Sequence, residues 1–179
     1  MSDMRLLYGT DLKRFLRRYR SQRQDLPDLV LLLQSVAYPV NVGATFRVAD
    51  ACRAKEVILT GITPRPPHPT IGKVARGKER RVPWSYAQTV EEPVARLREA
   101  GYLICAVEIT SRAVPYYEFD YPERVCLVVG NEDHGVTQDT LALCDASVFV
   151  PMYGKGRSLN VHVALTVVAY HVLHAGLGH

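Results

Sequence analysis

Five apolar segments, spaced along a chain of 179 residues, restrict its fold more than any other feature. Each lacks the alternation of apolar and polar residues that a half-solvated strand shows, so each is typical of a β-strand buried on both faces. The segments are DLVLLLQSV (28–36), EVILTG (56–61), YLICAVEI (102–109), VCLVVGNE (125–132) and ASVFVPM (146–152). Helical or polar stretches separate them. This order predicts the α/β class, with a mainly parallel sheet and helices on both faces.

Helices are predicted between and around these strands. The first starts at Thr10, carries an apolar face between arginines, and ends at Pro27. Its apolar face consists of Leu12, Phe15, Leu16 and Tyr19. The remaining predicted helices cover residues 41–54, 90–100, 137–144 and 158–175.

The helix ends carry their own signals. Asn41 and Ser158 are the predicted N-caps of the helices that they open, and Gly101 closes the helix before it. A cap at Ser158 puts Asn160 inside the first helical turn, where capping does not explain it. Residues 62–72 contain four prolines and are predicted to be an irregular loop.

Length and composition predict one domain over residues 1–179, with a short basic helical extension over about residues 1–26. We find neither a signal-type apolar core nor a run of about 18 apolar residues, so we expect a cytoplasmic protein and no membrane partner. The cysteines form no C-x-x-C pair and have mostly apolar neighbours, which predicts free, buried thiols. They are Cys52, Cys105, Cys126 and Cys144.

Positive charge is concentrated in residues 1–24 and 65–81, which hold 13 of the 22 Lys and Arg residues but only 3 of the 18 Asp and Glu residues. Two basic patches on an otherwise acidic body favour a polyanionic partner. The alternative is two solvated basic faces without a partner. A membrane surface is less favoured because the apolar face of the first helix is narrow.

Three polar loops follow buried strands, and the carboxyl ends of parallel strands are where α/β proteins bind ligands. The first loop leads to Asn41 and Arg47, about 9 Å apart along a helix. Either both residues belong to a functional site, or Asn41 only caps the helix and Arg47 only contacts solvent. The second contains Glu132, which either braces its neighbours or acts in chemistry. In the third, the Asn160 amide either binds a ligand or stays idle.

Metal binding and other enzyme classes are not supported. Asp133 and His134 are two adjacent candidate ligands without a third, so we predict no metal. The histidines of the last helix, His162, His171 and His174, are interpreted as packed or exposed. The phosphate-binding fingerprints of a generic nucleotide-binding α/β enzyme are also missing.

The motifs NVGATFR, GNEDHG and VPMYGKGRSLNVHVAL, taken in order, resemble those of the TrmH branch of the SPOUT RNA methyltransferases. The resemblance runs from about Leu29 to Ala175. It implies a C-terminal deep trefoil knot, S-adenosyl-L-methionine as cofactor, a homodimer, and methyl transfer to a ribose 2'-hydroxyl of tRNA in preference to rRNA. The rival hypothesis is a non-catalytic RNA-binding protein that retains the knotted fold.

The resemblance also implies which residues form the site. The catalytic set is Asn41, Arg47, Glu132, Ser158 and Asn160. The cofactor-binding set is Val107, Glu108, Gly130, Asn131, Val150, Met152, Ser158 and Leu159. The basic patches supply the expected RNA contacts, namely Arg14, Arg17, Arg18, Lys73, Arg76, Lys78, Arg80 and Arg81.

Arg47 is the base in the mechanism proposed for the family. A guanidinium stays protonated in proteins, so our hypothesis is that Arg47 binds the adjoining phosphate and stabilises the developing alkoxide. The chain departs from the usual motifs at Asp133, His134, Val136 and His162, and none of these positions belongs to the catalytic set.

Overall fold

A computed structural model describes residues 4–21 and 25–175, and in this part of the chain seven strands form one sheet. The strands are β1 (Asp28–Gln34), β2 (Glu56–Thr60), β3 (Trp84–Ala87), β4 (Leu103–Val107), β5 (Val114–Pro115), β6 (Arg124–Val129) and β7 (Ala146–Phe149). Their order across the sheet is β3-β2-β1-β6-β4-β7-β5, and every neighbouring pair is parallel. The predicted parallel sheet is confirmed.

Helices cover both faces of the sheet, as predicted. The helices are α1 (Gly9–Ser21), α2 (Pro39–Cys52), α3 (Pro69–Ala75), α4 (Glu91–Glu99), α5 (Gln138–Ala142) and α6 (Val161–Ala175), with a 3₁₀ turn at Lys78–Arg80. Alternate residues of β1 point to opposite sides. Leu31 packs with residues of α2, α3 and α6, and Leu32 packs with residues of α4. Burial on both faces explains why these strands lack polar alternation.

Two helix starts differ from the prediction. Asn41 is not an N-cap, because α2 begins at Pro39 and Tyr38 holds the cap position. Proline at the start of a helix has no N–H to lose, so Pro39 moves the start two residues upstream. The same effect overturns the irregular loop expected over residues 62–72, since α3 starts at Pro69. His68 caps α3 by accepting a hydrogen bond at Nδ1 from the backbone N–H of Thr70 (3.2 Å).

The strands β3 and β5, at the two edges of the sheet, were not predicted. Each has at most four residues and contains polar or proline positions, so no long apolar run marks them. Helix α4 ends one residue earlier than expected, and Gly101 follows it with a positive φ of 81°. That backbone conformation favours glycine at the end of a helix.

Helix α1 is described as far as Ser21, and the residues between it and Asp25, including Arg23 of the basic patch, lie outside the described residues. None of its residues is buried. Its apolar side chains, Leu12, Phe15, Leu16 and Tyr19, are 37–55% exposed. In the described part of the chain, no helix has the length and apolar character needed to cross a membrane.

The four cysteines are free, as predicted, and three of them are buried. Cys144 is half-buried. Burial raises the pKa of Cys52 and of Cys105 to about 12, and the pKa of Cys144 to about 11. These thiols are therefore protonated and unreactive at neutral pH.

Candidate functional site

The side chain of Glu132 joins the loop after β6 to the loop after β1. Its Oε2 accepts a hydrogen bond from the backbone N–H of Ala37 (2.8 Å), and its Oε1 accepts from that of Tyr38 (3.1 Å) and from Nδ2 of Asn41 (2.6 Å). Burial acts to raise the pKa of Glu132, but these hydrogen bonds outweigh it and lower the pKa below its ordinary value. Glu132 is an ionised brace at neutral pH.

Asn41 extends this brace to the last helix. Its side chain is buried within the first turn of α2, and its Oδ1 lies 3.0 Å from Nδ1 of His162 on α6. Because an ionised carboxylate can only accept, the amide nitrogen of Asn41 faces Glu132 and its oxygen faces His162. His162 therefore donates from Nδ1. Burial lowers the pKa of His162, so the ring is neutral at pH 7 and its Nε2 remains an acceptor.

The turn between β6 and α5, residues 130–136, is packed too tightly for side chains at two positions. A Cβ on Gly130 would overlap the backbone of Gly135, which pairs with Asn131 across the turn. Gly135 has φ +66°, and a Cβ there would meet the carboxylate of Glu108. Glu108 also accepts from the backbone N–H of Val136 (3.0 Å). Glycine is required at position 130 for close backbone approach and at position 135 for its positive φ.

Asn131 braces the same turn. Its Nδ2 donates to the carbonyl of Ser35 after β1 (2.9 Å), and its Oδ1 accepts from the backbone N–H groups of Asp133 (3.0 Å) and His134 (3.2 Å). The second loop is thus fixed to the first from two side chains, Asn131 and Glu132.

Asn160, not Ser158, caps the last helix. Helix α6 begins at Val161, and Oδ1 of Asn160 accepts a hydrogen bond from the backbone N–H of His162 (3.2 Å). The carbonyl of Asn160 accepts the first helical hydrogen bonds, from Val163 and Ala164. The predicted cap at Ser158 is wrong, and capping does explain Asn160. Ser158 is exposed and lies three residues before the first residue of the helix.

A cavity of about 440 Å³ lies between the loops that follow β4, β6 and β7. Its lining includes all eight residues of the predicted cofactor-binding set, Val107, Glu108, Gly130, Asn131, Val150, Met152, Ser158 and Leu159. It also includes Arg157 and His134, which sequence reasoning did not select. The cavity combines an apolar wall with carboxylate, amide and hydroxyl groups, as is typical of small-molecule sites.

The five predicted catalytic residues are only partly brought together. Glu132 and Ser158 line the cavity, and Asn41 and Asn160 adjoin it through the hydrogen bonds of Glu132 and His162. Arg47 is exposed on α2 and is not part of the cavity lining.

Comparison with known proteins decides the family. The sequence model of the SpoU rRNA Methylase family matches residues 28–170. The chain therefore belongs to the SpoU rRNA Methylase family. A solved A. aeolicus protein described as a TrmH/SpoU tRNA modifying enzyme matches over 92% of this chain and 83% of its own, with 26% identity and a TM-score of 0.75. Together, the two matches confirm the resemblance to TrmH-type enzymes.

Two further similar proteins are named for different RNAs. The E. coli K12 tRNA (guanosine(18)-2'-O)-methyltransferase is 35% identical over 144 residues, which are 80% of this chain and 62% of that protein. The AdoMet-bound rRNA methyltransferase from Sinorhizobium meliloti is 27% identical with a TM-score of 0.77, covering 86% of this chain and 58% of its own. This chain thus spans about three fifths of the length of both proteins.

The cations of the second basic patch, residues 65–81, differ in their exposure and in their ion pairs. Lys78 and Arg81 both pair with Asp50 of α2, each at 3.5 Å, and the Lys78 side chain is only 29% exposed. The other cations predicted to contact RNA are exposed, namely Arg14, Arg17, Arg18, Lys73, Arg76 and Arg80. Over residues 4–21 and 25–175, no three His, Cys, Asp or Glu side chains are grouped to hold a metal ion.

The sequence analysis did not predict the roles of two polar side chains near the cavity, His162 and Gln34. His162 was interpreted as packed or exposed, yet it holds Asn41. The sequence offered one indication of this role, because His162 stands two residues after Asn160, where the related motifs often have serine. Gln34, buried at the end of β1, accepts from the backbone N–H of Thr137 (3.1 Å), and nothing in the local pattern marked it.

Proposed function

We propose that this chain methylates a ribose 2'-hydroxyl of RNA with S-adenosyl-L-methionine as methyl donor, and that it acts on tRNA in preference to rRNA. The observation that carries the proposal is the cavity of about 440 Å³, because the eight residues implied for the cofactor all line it. The E. coli relative named for tRNA supports the choice of RNA. As expected from the sequence, we place this activity in the cytoplasm.

The cavity suits the cofactor in size and chemistry. Its volume lies in the usual range for small-molecule sites, about 300–1,000 Å³. Val107, Val150, Met152 and Leu159 supply an apolar wall for an adenine ring, and Gly130 lets a ligand approach the backbone. When bound, S-adenosylmethionine would supply an electrophilic sulfonium methyl group, whose transfer needs no metal.

Catalysis then rests on positioning the ribose and stabilising its developing negative charge. Glu132 and Asn41 hold the first and second loops in a fixed relation. Ser158 presents a hydroxyl at the cavity, and Asn160 fixes the start of α6 beside it.

Arg47 is proposed to bind the phosphate next to the target ribose and to stabilise the alkoxide as it forms. Its guanidinium stays protonated, which suits electrostatic stabilisation and excludes a role as proton acceptor. Its exposure on α2 fits contact with a large substrate. Arg47→Lys is expected to lower kcat by at least about tenfold, because an ammonium cannot bind phosphate bidentately. Near-normal turnover of this variant would contradict a role that needs the guanidinium.

The assembly belongs to the same proposal. We infer that residues 1–179 act as one domain with a basic extension over about residues 1–26. We also infer that the C-terminal part of this domain forms the deep trefoil knot and that the protein is a homodimer. The exposed apolar side chains of α1 support an interface. The exposed cations of α1 and of residues 65–81 would contact phosphates without reading sequence.

Calorimetric titration with S-adenosylmethionine tests the proposal most directly. We expect saturable binding at one site per chain, together with 2'-O-methyl marks that disappear from the RNA of a strain lacking the protein. RNA binding without cofactor binding would instead favour the non-catalytic RNA-binding protein.

A further inference from the structure

A second cavity, of about 520 Å³, is lined by residues of α3, of the 3₁₀ turn and of the start of β3. Its walls are largely apolar and flat, with three prolines (Pro66, Pro67 and Pro69) on one side and the indole of Trp84 among the lining residues. Helix α3 separates this cavity from Asn41. One face of α3, with Ile71 and Val74, meets Gly43 of α2, and the opposite face, with Pro69, Gly72 and Lys73, lines the cavity.

The lining includes a buried carboxylate that lacks a full set of partners. The Glu79 side chain is only 9% exposed, and its Oε2 is buried without a hydrogen-bond partner among the described residues. Its Oε1 lies 3.6 Å from Nε of Arg80, too far for a good hydrogen bond, and the Arg80 side chain is 86% exposed. A buried carboxylate is costly unless donors satisfy it, so an N–H-bearing ligand would relieve this cost.

His68 offers the complementary group at the same cavity. Its Nδ1 accepts from the backbone N–H of Thr70 (3.2 Å), so the neutral ring carries its proton on Nε2. The cavity thus presents an acceptor-only carboxylate, an N–H donor and flat apolar walls. Exposed cations, Lys73 and Arg80, stand among its lining residues.

We propose that this cavity binds an unpaired guanine base of the RNA substrate. Guanine is the RNA base that presents two adjacent N–H donors, N1–H and N2–H, to a carboxylate, and a carbonyl acceptor, O6, beside them. Adenine and cytosine would turn a ring-nitrogen lone pair toward Glu79, and uracil flanks its one N–H with two carbonyl oxygens. Trp84 provides the stacking surface by which proteins hold unpaired bases.

The phosphates of such a nucleotide would lie against Lys73 and Arg80. Arg80 can leave Glu79 for a phosphate because its side chain is mostly solvated and its contact with Glu79 is long. The terminal torsion of a glutamate is broad, so Glu79 can turn Oε2 toward the base at little cost. The inference rests on the proposed function, because it assigns part of the RNA recognition to this cavity.

Trp84 is the only tryptophan of the chain and reports on this cavity directly. Its fluorescence is followed, with excitation where nucleotides do not absorb, while GMP, IMP, AMP, CMP and UMP are added separately. We expect saturable quenching, with GMP bound at least about tenfold more tightly than AMP, CMP or UMP. IMP, which lacks only the 2-amino group, is expected to bind more weakly than GMP.

Glu79→Gln should remove the preference for GMP, since its amide nitrogen is a donor and would face one of the two N–H groups of guanine. Glu99→Gln, at an exposed carboxylate on α4, should leave the preference unchanged. S-adenosylmethionine is also titrated into the unsubstituted protein, Glu79→Gln and Glu99→Gln. These titrations report on the first cavity alone, so they test the proposed function separately from the guanine pocket. Equal quenching by all five nucleotides, no quenching, or an unchanged preference in Glu79→Gln would overturn the guanine pocket whatever the cofactor result.

Discussion

The two glycine-containing loops that border the cavity of about 440 Å³ differ in how they are held. In the loop over residues 130–136, Asn131, Glu132 and Glu108 make hydrogen bonds that fix it to the loop after β1 and to β4. In the loop over residues 153–159, every residue is exposed, and a Cβ on Gly154 would meet nothing within 4 Å. The first loop is a preformed wall, whereas the second owes its position mainly to the strand and helix at its ends.

Glycine therefore has a different structural role in each of the two motifs. In the braced loop, glycine is required because two backbone segments touch. In the exposed loop, a Cβ on Gly154 would have open space around it, so no close contact requires glycine there. The substitutions below measure how far the contrast extends to stability and function.

Gly130→Ala should have the largest effect. The added Cβ would overlap the backbone of Gly135, which cannot yield as a flexible side chain can. We expect a loss of about 3 kcal/mol or more in the free energy of unfolding, measured by urea denaturation. The matched control is Gly154→Ala, which should stay within about 0.5 kcal/mol of the unsubstituted protein. Equal effects at the two glycines would erase the distinction between the loops.

Glu132→Gln should have the next largest effect. The amide group keeps the size of the side chain but turns an N–H donor either toward the backbone N–H of Ala37 or toward the donors of Tyr38 and Asn41. A loss of about 2 kcal/mol in unfolding free energy is expected, together with a lower kcat. Asp133→Asn, at the exposed neighbouring carboxylate, is the control and should change neither quantity. A normally stable but inactive Glu132→Gln would mean that Glu132 acts in chemistry and is not mainly a brace.

Asn160→Ala and Ser158→Ala separate structure from function at the end of the exposed loop. Removing the cap of α6 should cost about 1 kcal/mol of unfolding free energy. Removing the Ser158 hydroxyl should leave stability unchanged and weaken S-adenosylmethionine binding, because this side chain is exposed and lines the cavity. The pair is compared by urea denaturation and calorimetry. A stability loss confined to Ser158→Ala would contradict the assignment of the cap.

The braced loop also shows where sequence reasoning ends. The fully apolar strands were predictable because burial on both faces leaves a continuous apolar run. The residues that line the cavity of about 440 Å³ followed from motif order, since each motif follows a strand whose carboxyl end meets the same edge of the sheet. The edge strand β3 was missed because four residues, all half-buried, produce no such run.

Helix starts and long-range partners could not be derived locally. Tyr38 caps α2 without a side-chain hydrogen bond, so the polar Asn41 was the more plausible cap although it lies in the first turn. Whether Glu132 braces or reacts depends on Ala37 and Asn41, more than 90 residues away in the chain. The pairing of Asn41 with His162 spans 121 residues. Such contacts exist only once the sheet has brought the loops together.

The smallest expected effect is the pH dependence of the brace. The pKa of Glu132 lies below its ordinary value of 4.5, so the folded state favours the ionised form more than the unfolded state does. Its contribution to stability is therefore complete above the unfolded value and is lost as the pH falls through the folded one. The difference in unfolding free energy between the unsubstituted protein and Glu132→Gln should be constant from neutral pH to about pH 6, and should shrink below about pH 5.

Taking this difference cancels the groups that both proteins share. Chief among them is His162, whose pKa is lowered by burial and whose protonation below its ordinary value of 6.5 destabilises either protein. Asp133→Asn, measured in the same series, should show no such shrinkage relative to the unsubstituted protein. A difference that stays constant or grows in acid would mean that the hydrogen bonds to Ala37, Tyr38 and Asn41 do not favour the ionised carboxylate. The loop over residues 130–136 would then be held by its backbone packing alone, and the glycine contacts would account for the whole contrast with the exposed loop.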